Sequence, residues 1–338
     1  MERDRTIDVM RGIAIILVVI DHAGGKWGVI NFFHVPLFFF ISGCFFKPLQ
    51  DYSIAGLLKQ FKWRATYIPF IKYGIIFLLL SPILYKLHLS NTYHEGITEW
   101  RHTLFLILRF RTTMSDMLGQ FWFLPALFFA HALCLTIHIF STNFSKYIQI
   151  LIFAGIYFIG MICFINGIKE PYDFSRIMYL SFFYAMGFYS YKYMKYVYQY
   201  WQFPLLSFIL LQTFCQYSYL VFSNAILFLL FALMGIVMTA WLSNHIGKRL
   251  TPILSFIGKH TMIVFIWHVL IIKITQMGLA HLGYMEYYSG WRGNMEANDY
   301  WWIFTLISIF TPITITIILK KLQTINMNKY EKNNNESY

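Results

Sequence analysis

Three ionisable residues, Asp8, Arg11 and His22, lie in or beside the first apolar stretch of the chain. Ionisable groups are costly in hydrocarbon, so they are functional candidates by default in a membrane segment. Arg11 and His22 are 11 residues apart, which in an α-helix brings both side chains to one face about 16 Å apart. A guanidinium binds phosphate well, and an imidazole can take up and return a proton near neutral pH. We therefore predict that Arg11 holds the phosphates of a nucleotide-based donor and that His22 is a general base.

Each of these residues also has a structural interpretation. Asp8 and Arg11 are i,i+3 neighbours that can form an ion pair, so Arg11 could anchor the end of the helix. Arg5 is a further candidate for donor binding, although an anchoring role suits it better. His22 could be a core histidine that is hydrogen-bonded to a neighbouring helix. Asp21 has no role that the sequence assigns beyond a polar contact or an acid in an outer cavity.

The segment after residue 22 is predicted to turn sharply back into the membrane. Its glycines allow a tight turn, and the second apolar stretch starts near residue 32. His34 would then lie at nearly the depth of His22, so we predict a His22–His34 pair and take His34 as a second catalytic candidate. A core histidine is an equally good interpretation of His34.

The composition indicates what kind of protein positions these residues. The chain is 58% hydrophobic and 20% aromatic, with only 12% charged residues, whereas soluble domains carry about 25% charged residues. At about 20 apolar residues per crossing, we predict an all-α polytopic membrane bundle of about ten helices. Its spans lie near 8–25, 32–48, 67–86, 119–140, 148–166, 176–194, 203–221, 224–243, 255–278 and 301–320. They form one domain over residues 1–322, and we expect a loosely attached polar cytoplasmic tail over 323–338.

Most basic residues flank these spans on one side of the membrane. The positive-inside rule then predicts that both termini are cytoplasmic, with Arg11 near the inner surface and His22 toward the outer one. The net charge of +12 suits contact with membrane lipid headgroups. We therefore expect no nucleic-acid partner.

Three other features of the sequence have less specific interpretations. The polar loop 279–300 could bind a sugar face, or could be an interfacial aromatic belt formed by Tyr284, Tyr287, Tyr288 and Trp291. The segment 100–111 is typical of an interfacial amphipathic helix. Irregularly spaced cysteines in apolar segments predict neither a disulfide framework nor a metal site: Cys44, Cys134, Cys163 and Cys215.

Two stretches near the N-terminus resemble the opening of the acyltransferase-3 family of integral membrane O-acyltransferases. The first runs from Asp8 to His22 (DVMRGIAIILVVIDH), and the second runs from Phe33 to Gly43 (FHVPLFFFISG). The spacing from Arg11 to His22 matches that family's signature of an arginine, ten residues and a histidine. Later stretches at 120–124, 182–187 and 257–268 are also similar, so the resemblance extends from about residue 5 to residue 320.

The resemblance implies a ten-helix enzyme in the cytoplasmic membrane of a bacterium. Such an enzyme takes an acyl group, commonly acetyl, from cytoplasmic acyl-CoA to a hydroxyl of a sugar in a surface polysaccharide or lipid-linked glycan. Acyl-CoA would be a substrate and not a permanently bound cofactor, and glycan-assembly proteins would be compatible partners. The family's essential arginine and histidine fall on Arg11 and His22. Gln120, Trp122 and His268 become candidates for substrate binding, although a belt tryptophan and a packed histidine are equally good interpretations.

Two chemical routes and one other class of protein stay open. His22 could deprotonate the acceptor for direct attack on the thioester, or could form an acyl-imidazole. The separation of about 16 Å matches an extended pantetheine arm, which favours a tunnel fed from the inside. A transporter or flippase for a lipid-linked glycan or small molecule would also use buried ionisable groups. The sequence lacks the internal symmetry that would support it.

Overall fold

Helices form every element of the chain that the structure describes. The computed structural model describes residues 5–25, 28–49, 53–91, 96–111, 117–168, 171–197, 199–214, 221–287 and 299–335. In chain order, the α-helices are α1 (Arg5–His22), α2 (His34–Gly43), α3 (Ile54–Gln60), α4 (Ile68–Lys86), α5 (Gly96–Leu108), α6 (Phe123–Phe140), α7 (Lys146–Ile165), α8 (Phe174–Ser190), α9 (Met194–Val197), α10 (Gln202–Phe214), α11 (Ala225–His245), α12 (Leu250–Lys259), α13 (Thr261–His281) and α14 (Trp301–Asn335). A π-helical turn, Trp63–Tyr67, precedes α4, and a 3₁₀ turn, Gly119–Trp122, precedes α6.

Six helical segments in the described ranges are long and apolar enough to cross a membrane. They are Leu58–Lys86, Gly119–Phe140, Lys146–Ile165, Ala225–His245, Thr261–His281 and Trp301–Ile325. These six coincide with six of the predicted spans and establish an all-helical membrane protein. The count of about ten and the orientation of the termini stay predictions.

The other four predicted spans are shorter or more polar than the six. The first, α1, carries four charged residues in its 18 positions. The helices α2 and α10 have 10 and 13 residues, and α8 has 17. Such segments cross a full bilayer only with help from neighbouring helices or extended chain.

The span predicted near 255–278 is divided into two helices in the structure. The backbone leaves the helical path at His260, which has φ −105° and ψ 13°, so α12 ends at Lys259 and α13 begins at Thr261. The Thr261 hydroxyl donates to Gly258 O at 2.8 Å across this break. The break lets α12 pack along α1 while α13 takes a separate direction.

Glycine packing holds α1 and α12 in backbone contact. A Cβ built on Gly12 would lie 2.1 Å from Leu254 O, and one built on Gly258 would lie 1.9 Å from Asp8 O. Small residues are what allow membrane helices to approach this closely. The pair α2 and α8 uses the same device, since a Cβ on Gly43 would lie 1.8 Å from a backbone oxygen of α8.

The helix α1 lies between two apolar cores. Ile7, Met10 and Ala14 belong to a core shared with α2, α6, α8 and α11, while Ile15 and Val19 belong to one shared with α4, α13 and α14. Its two ends are therefore held from both sides. This packing fixes the helix that carries the principal candidate residues.

The remaining predictions have mixed outcomes. The segment near 100–111 contains α5, which ends at Leu108. In the predicted polar tail, α14 continues as a helix to Asn335, and how loosely this part is attached stays a prediction. Of the aromatic loop, Tyr284 is exposed and Tyr287 donates to a backbone oxygen at 2.5 Å. Three cysteines form no disulfide among the described residues: Cys44, Cys134 and Cys163. The candidates Tyr288, Trp291 and Cys215 lie outside the described residues.

Candidate active site

A cavity of about 430 Å³ collects five of the eight candidate residues. They reach it from α1, α2 and the start of α6: Arg11, His22, His34, Gln120 and Trp122. Most other lining residues are apolar, including Val18, Phe38, Leu124, Leu127 and Phe265. The spacing argument for Arg11 and His22 therefore placed both on the face of α1 that borders the cavity.

His22 contacts a second histidine. Its Nδ1 lies 2.6 Å from Nε2 of His268, and the two rings lie edge to edge in nearly one plane, with centroids 4.9 Å apart and an interplanar angle of 11°. His268 is fully buried on α13 and does not line the cavity. The structure thus places His268 behind His22, whereas the sequence made it a candidate for binding substrate.

His34 borders the same cavity at the start of α2. Its Nδ1 is 2.8 Å from Ile30 O, and because a carbonyl oxygen can only accept, Nδ1 donates and Nε2 of a neutral ring is the acceptor. His22 and His34 border the same cavity, but the ring that is hydrogen-bonded to His22 belongs to His268 and not to His34.

Arg11 forms the expected contact with Asp8. Its Nη1 lies 3.8 Å from Asp8 Oδ1, with 30% of the arginine side chain exposed and 3% of the aspartate. The guanidinium also lies over the Phe45 ring, 4.6 Å from the centroid. A guanidinium carries five N–H donors, so the contact with Asp8 is compatible with a second, anionic partner for Arg11.

Two further cations, Lys62 and Lys259, line the cavity with Arg11. Lys62 Nζ donates to Ser42 O at 3.4 Å and lies 5.1 Å from the Tyr184 ring centroid. No carboxylate lines the cavity in the ranges that the structure describes, so its charged lining residues are all positive. We name these three residues, Arg11, Lys62 and Lys259, the cation cluster; its arrangement suits a ligand with several negative charges.

Sequence reasoning used Lys62 and Lys259 only to orient the spans. A signal was present for each: Lys62 lies inside an apolar segment long enough to cross the membrane, where a charge is expensive. Lys259 lies in one of the stretches that carry the family resemblance. From the sequence alone, neither position shows that the two lysines line the same cavity as Arg11.

Gln120 is buried without a hydrogen-bond partner among the described residues. Its side-chain nitrogen and oxygen are both unsatisfied, and the residue is 4% exposed. Buried amides in proteins almost always find partners, so an orphaned one calls for an explanation. Gln120 borders the cavity, where its amide could donate to or accept from a bound molecule.

Trp122 and Arg5 differ in their relation to the cavity. Trp122 lines it and is covered on its ring by the Arg176 guanidinium, 4.5 Å from the centroid. Arg5 begins α1, is exposed and does not line the cavity. Asp8 also lies outside the lining and reaches the site through Arg11.

Comparison with known proteins identifies the class of molecule. A family model described as an acyltransferase domain, that of the acyltransferase-3 family, matches residues 4–320. No curated protein and no protein of solved structure matches the chain significantly. The match covers nearly all of the helices that build the cavity.

Proposed function

Because this chain belongs to the acyltransferase-3 family, we propose that it is an O-acyltransferase of a bacterial cytoplasmic membrane. It is a multi-pass membrane acyltransferase. The proposed donor is cytoplasmic acetyl-CoA, and the proposed acceptor is a sugar hydroxyl of a surface polysaccharide or lipid-linked glycan. The family match favours this activity over that of a transporter or flippase.

The observation that carries the proposal is the composition of the cavity that His22 and Arg11 line. It has a cation cluster from α1, the residue before the π-helical turn and the end of α12, an imidazole eleven residues along α1 from Arg11, and an apolar lining. Coenzyme A has the matching order of groups: phosphates, a flexible pantetheine arm and a thioester. Binding its phosphates at Arg11, Lys62 and Lys259 would place the arm along the apolar walls and the thioester toward His22.

The proposed chemistry uses His22 as a general base. The acceptor hydroxyl gives its proton to the imidazole as its oxygen attacks the thioester carbonyl, so a C–O bond forms and the C–S bond then breaks. The imidazolium returns the proton to the departing thiolate, which leaves as coenzyme A. The Gln120 amide, which has no partner among the residues that the structure describes, would donate to the carbonyl oxygen as negative charge develops on it.

Direct transfer is the simpler of the two routes. It requires donor and acceptor to meet in one space, and Arg11 and His22 border the same cavity. His34 and Trp122 lie on its wall as well, where they would contact the acceptor. An acyl-imidazole on His22 would be needed only if the acyl group had to leave that space before it met the acceptor.

The experiment that tests the function measures transfer of label. Membranes that contain the protein are incubated with radiolabelled acetyl-CoA, and label is counted in extracted glycan and glycolipid. We expect wild type and the exposed-site control His245→Ala to transfer label, and His22→Ala to lose transfer by about 10²- to 10⁴-fold, the range for general-base catalysis. Absence of labelled product in wild type, or full activity in His22→Ala, would contradict the proposal.

A further inference from the structure

A chain of hydrogen bonds runs from the backbone of α13 through two imidazoles to the cavity. Nδ1 of His268 lies 2.8 Å from Phe265 O and 3.2 Å from Val264 O. On the other side of the ring, Nε2 of His268 lies 2.6 Å from Nδ1 of His22. His22 in turn borders the cavity.

The direction of this chain follows from what each atom can do. Carbonyl oxygens only accept, so Nδ1 of His268 carries a hydrogen and donates it. His268 is fully buried, and its described partners are uncharged, so an imidazolium there would be a costly unpaired charge. The ring is therefore neutral, its Nε2 is an acceptor, and the hydrogen between the two rings belongs to Nδ1 of His22.

We infer that His268 is a positioning residue that holds His22 in the tautomer protonated on Nδ1, which makes Nε2 of His22 the atom that takes the acceptor's proton. This inference rests on the proposed function for its catalytic meaning. The tautomer itself follows from the hydrogen-bond geometry. His268 does not line the cavity and so acts only through His22.

The same contact stabilises the protonated form of the base. When Nε2 of His22 takes the proton, Nδ1–H of the imidazolium donates a charge-assisted hydrogen bond to His268 Nε2, and such bonds are roughly twice as strong as neutral ones. The hydrogen bond also opposes a flip of the His22 ring, because a flip would put a ring carbon in the place of Nδ1 opposite His268 Nε2. Orientation of a base by a third group is a general feature of activated catalytic sites.

The kinetic test replaces His268 with residues that keep or remove the acceptor. Gln at 268 can present its amide oxygen near the place of Nε2, whereas Leu fills similar space with no acceptor. The matched control is His245→Leu, because His245 is another helical histidine whose Nδ1 bonds a carbonyl four residues earlier. Unlike His268, His245 is exposed, and it does not line the cavity. Full-length proteins in proteoliposomes are assayed with acetyl-CoA and glycolipids extracted from the host membrane.

We expect His268→Leu to lower kcat by about 10- to 10⁴-fold. The lower figure is typical of losing a partner that orients a metal-binding histidine, and the upper figure is typical of a base held in the wrong tautomer. KM for acetyl-CoA should not change, because the cation cluster is intact. His268→Gln should recover much of kcat, and His245→Leu should match wild type. An unchanged kcat in folded His268→Leu, or a Gln variant as slow as the Leu variant, would overturn the inference.

A spectroscopic measurement decides the question even if His268→Leu does not fold. In wild type labelled with ¹⁵N-histidine, the His22 signals are assigned by their loss in His22→Gln, and the protonated nitrogen is identified. Protonation at Nδ1 supports the inference, and protonation at Nε2 of neutral His22 overturns it. This measurement needs no substrate, so it tests the tautomer independently of activity. Absence of transferase activity in wild type would refute the proposed function, and the ¹⁵N signals would still decide the tautomer.

Discussion

Replacing Gln120 with methionine should make the protein more stable and less active. Both polar atoms of the Gln120 amide are buried without a partner in the described structure. An unsatisfied buried polar group costs about 1–3 kcal/mol. Methionine fills a similar volume without that penalty, so Gln120→Met should raise the free energy of unfolding by about that amount.

The matched control, Gln149→Met, has the opposite expected sign. Gln149 is also buried, at 5% exposure, but its amide nitrogen donates to Ser141 O at 2.7 Å and Phe144 O at 3.2 Å, and its oxygen accepts from the Tyr189 hydroxyl. Without the amide, the Ser141 and Phe144 carbonyls lose a hydrogen-bond donor and the Tyr189 hydroxyl loses an acceptor. Gln149→Met should therefore lower the free energy of unfolding. Two glutamines with similar burial thus differ in whether the protein itself satisfies them.

Equilibrium unfolding in detergent and acetyl transfer provide the two readouts. Gln120→Met should be stabilised and should lose about 10²- to 10³-fold in kcat, the loss seen when one donor to an oxyanion is removed. Gln149→Met should be destabilised, with kcat near wild type in the folded fraction. If Gln120→Met were destabilised as much as Gln149→Met, the Gln120 amide would already be hydrogen-bonded in the protein without substrate. Its proposed role as a donor to the substrate would then be wrong.

Three further predictions concern packing and donor binding. Gly258→Val should prevent α12 from packing on α1, because even a Cβ would lie 1.9 Å from a backbone oxygen, so the yield of folded protein should collapse. The control Gly278→Val has open space around its Cβ position and should express normally. Equal yields of the two variants would contradict this packing. Lys62→Met should raise KM for acetyl-CoA by about 10- to 100-fold at unchanged kcat, since one hydrogen bond to a charged group is worth about 1.5–3 kcal/mol. The control is Lys72→Met, because Lys72 is exposed. Equal KM values in the two variants would show that Lys62 does not bind the donor. Arg11→Lys should not restore donor binding to the level of wild type, because an ammonium lacks the planar fork of a guanidinium; a wild-type KM would show that charge alone suffices.

The sequence could predict the parts of the site that depend on local periodicity. Arg11 and His22 share one helix, so the repeat of 3.6 residues per turn sets their relative direction regardless of what surrounds them. The structure places both on the wall of one cavity. Their chemical roles stay predictions, as do those of His34, Gln120 and Trp122.

What the sequence missed depends on contacts between distant segments. His22 and His268 are 246 positions apart, and only the packing of α13 against α1 brings their rings together. Lys62, just before the π-helical turn, and Lys259, at the end of α12, likewise line the same cavity as Arg11 only through the fold. The sequence signals at these two residues mark them as unusual cations, but they do not show which residues the lysines lie beside in the fold.

The division of the predicted span at His260 has a similar cause. Hydropathy sums apolar residues over a window, so α12 and α13 together resemble one crossing. The break depends on the direction that α12 must take to bring Gly258 against α1. That direction is a property of helix packing and is absent from a hydropathy profile.

The central claim is that donor binding and proton transfer belong to two different residues of α1 that serve one cavity. The most direct test measures acetyl-CoA binding and acetyl transfer separately in wild type, Arg11→Ala and His22→Ala. We predict that His22→Ala binds acetyl-CoA as wild type does but loses transfer by about 10²- to 10⁴-fold, while Arg11→Ala loses binding. Transfer at the wild-type rate in His22→Ala, or undiminished binding in Arg11→Ala, would contradict the account.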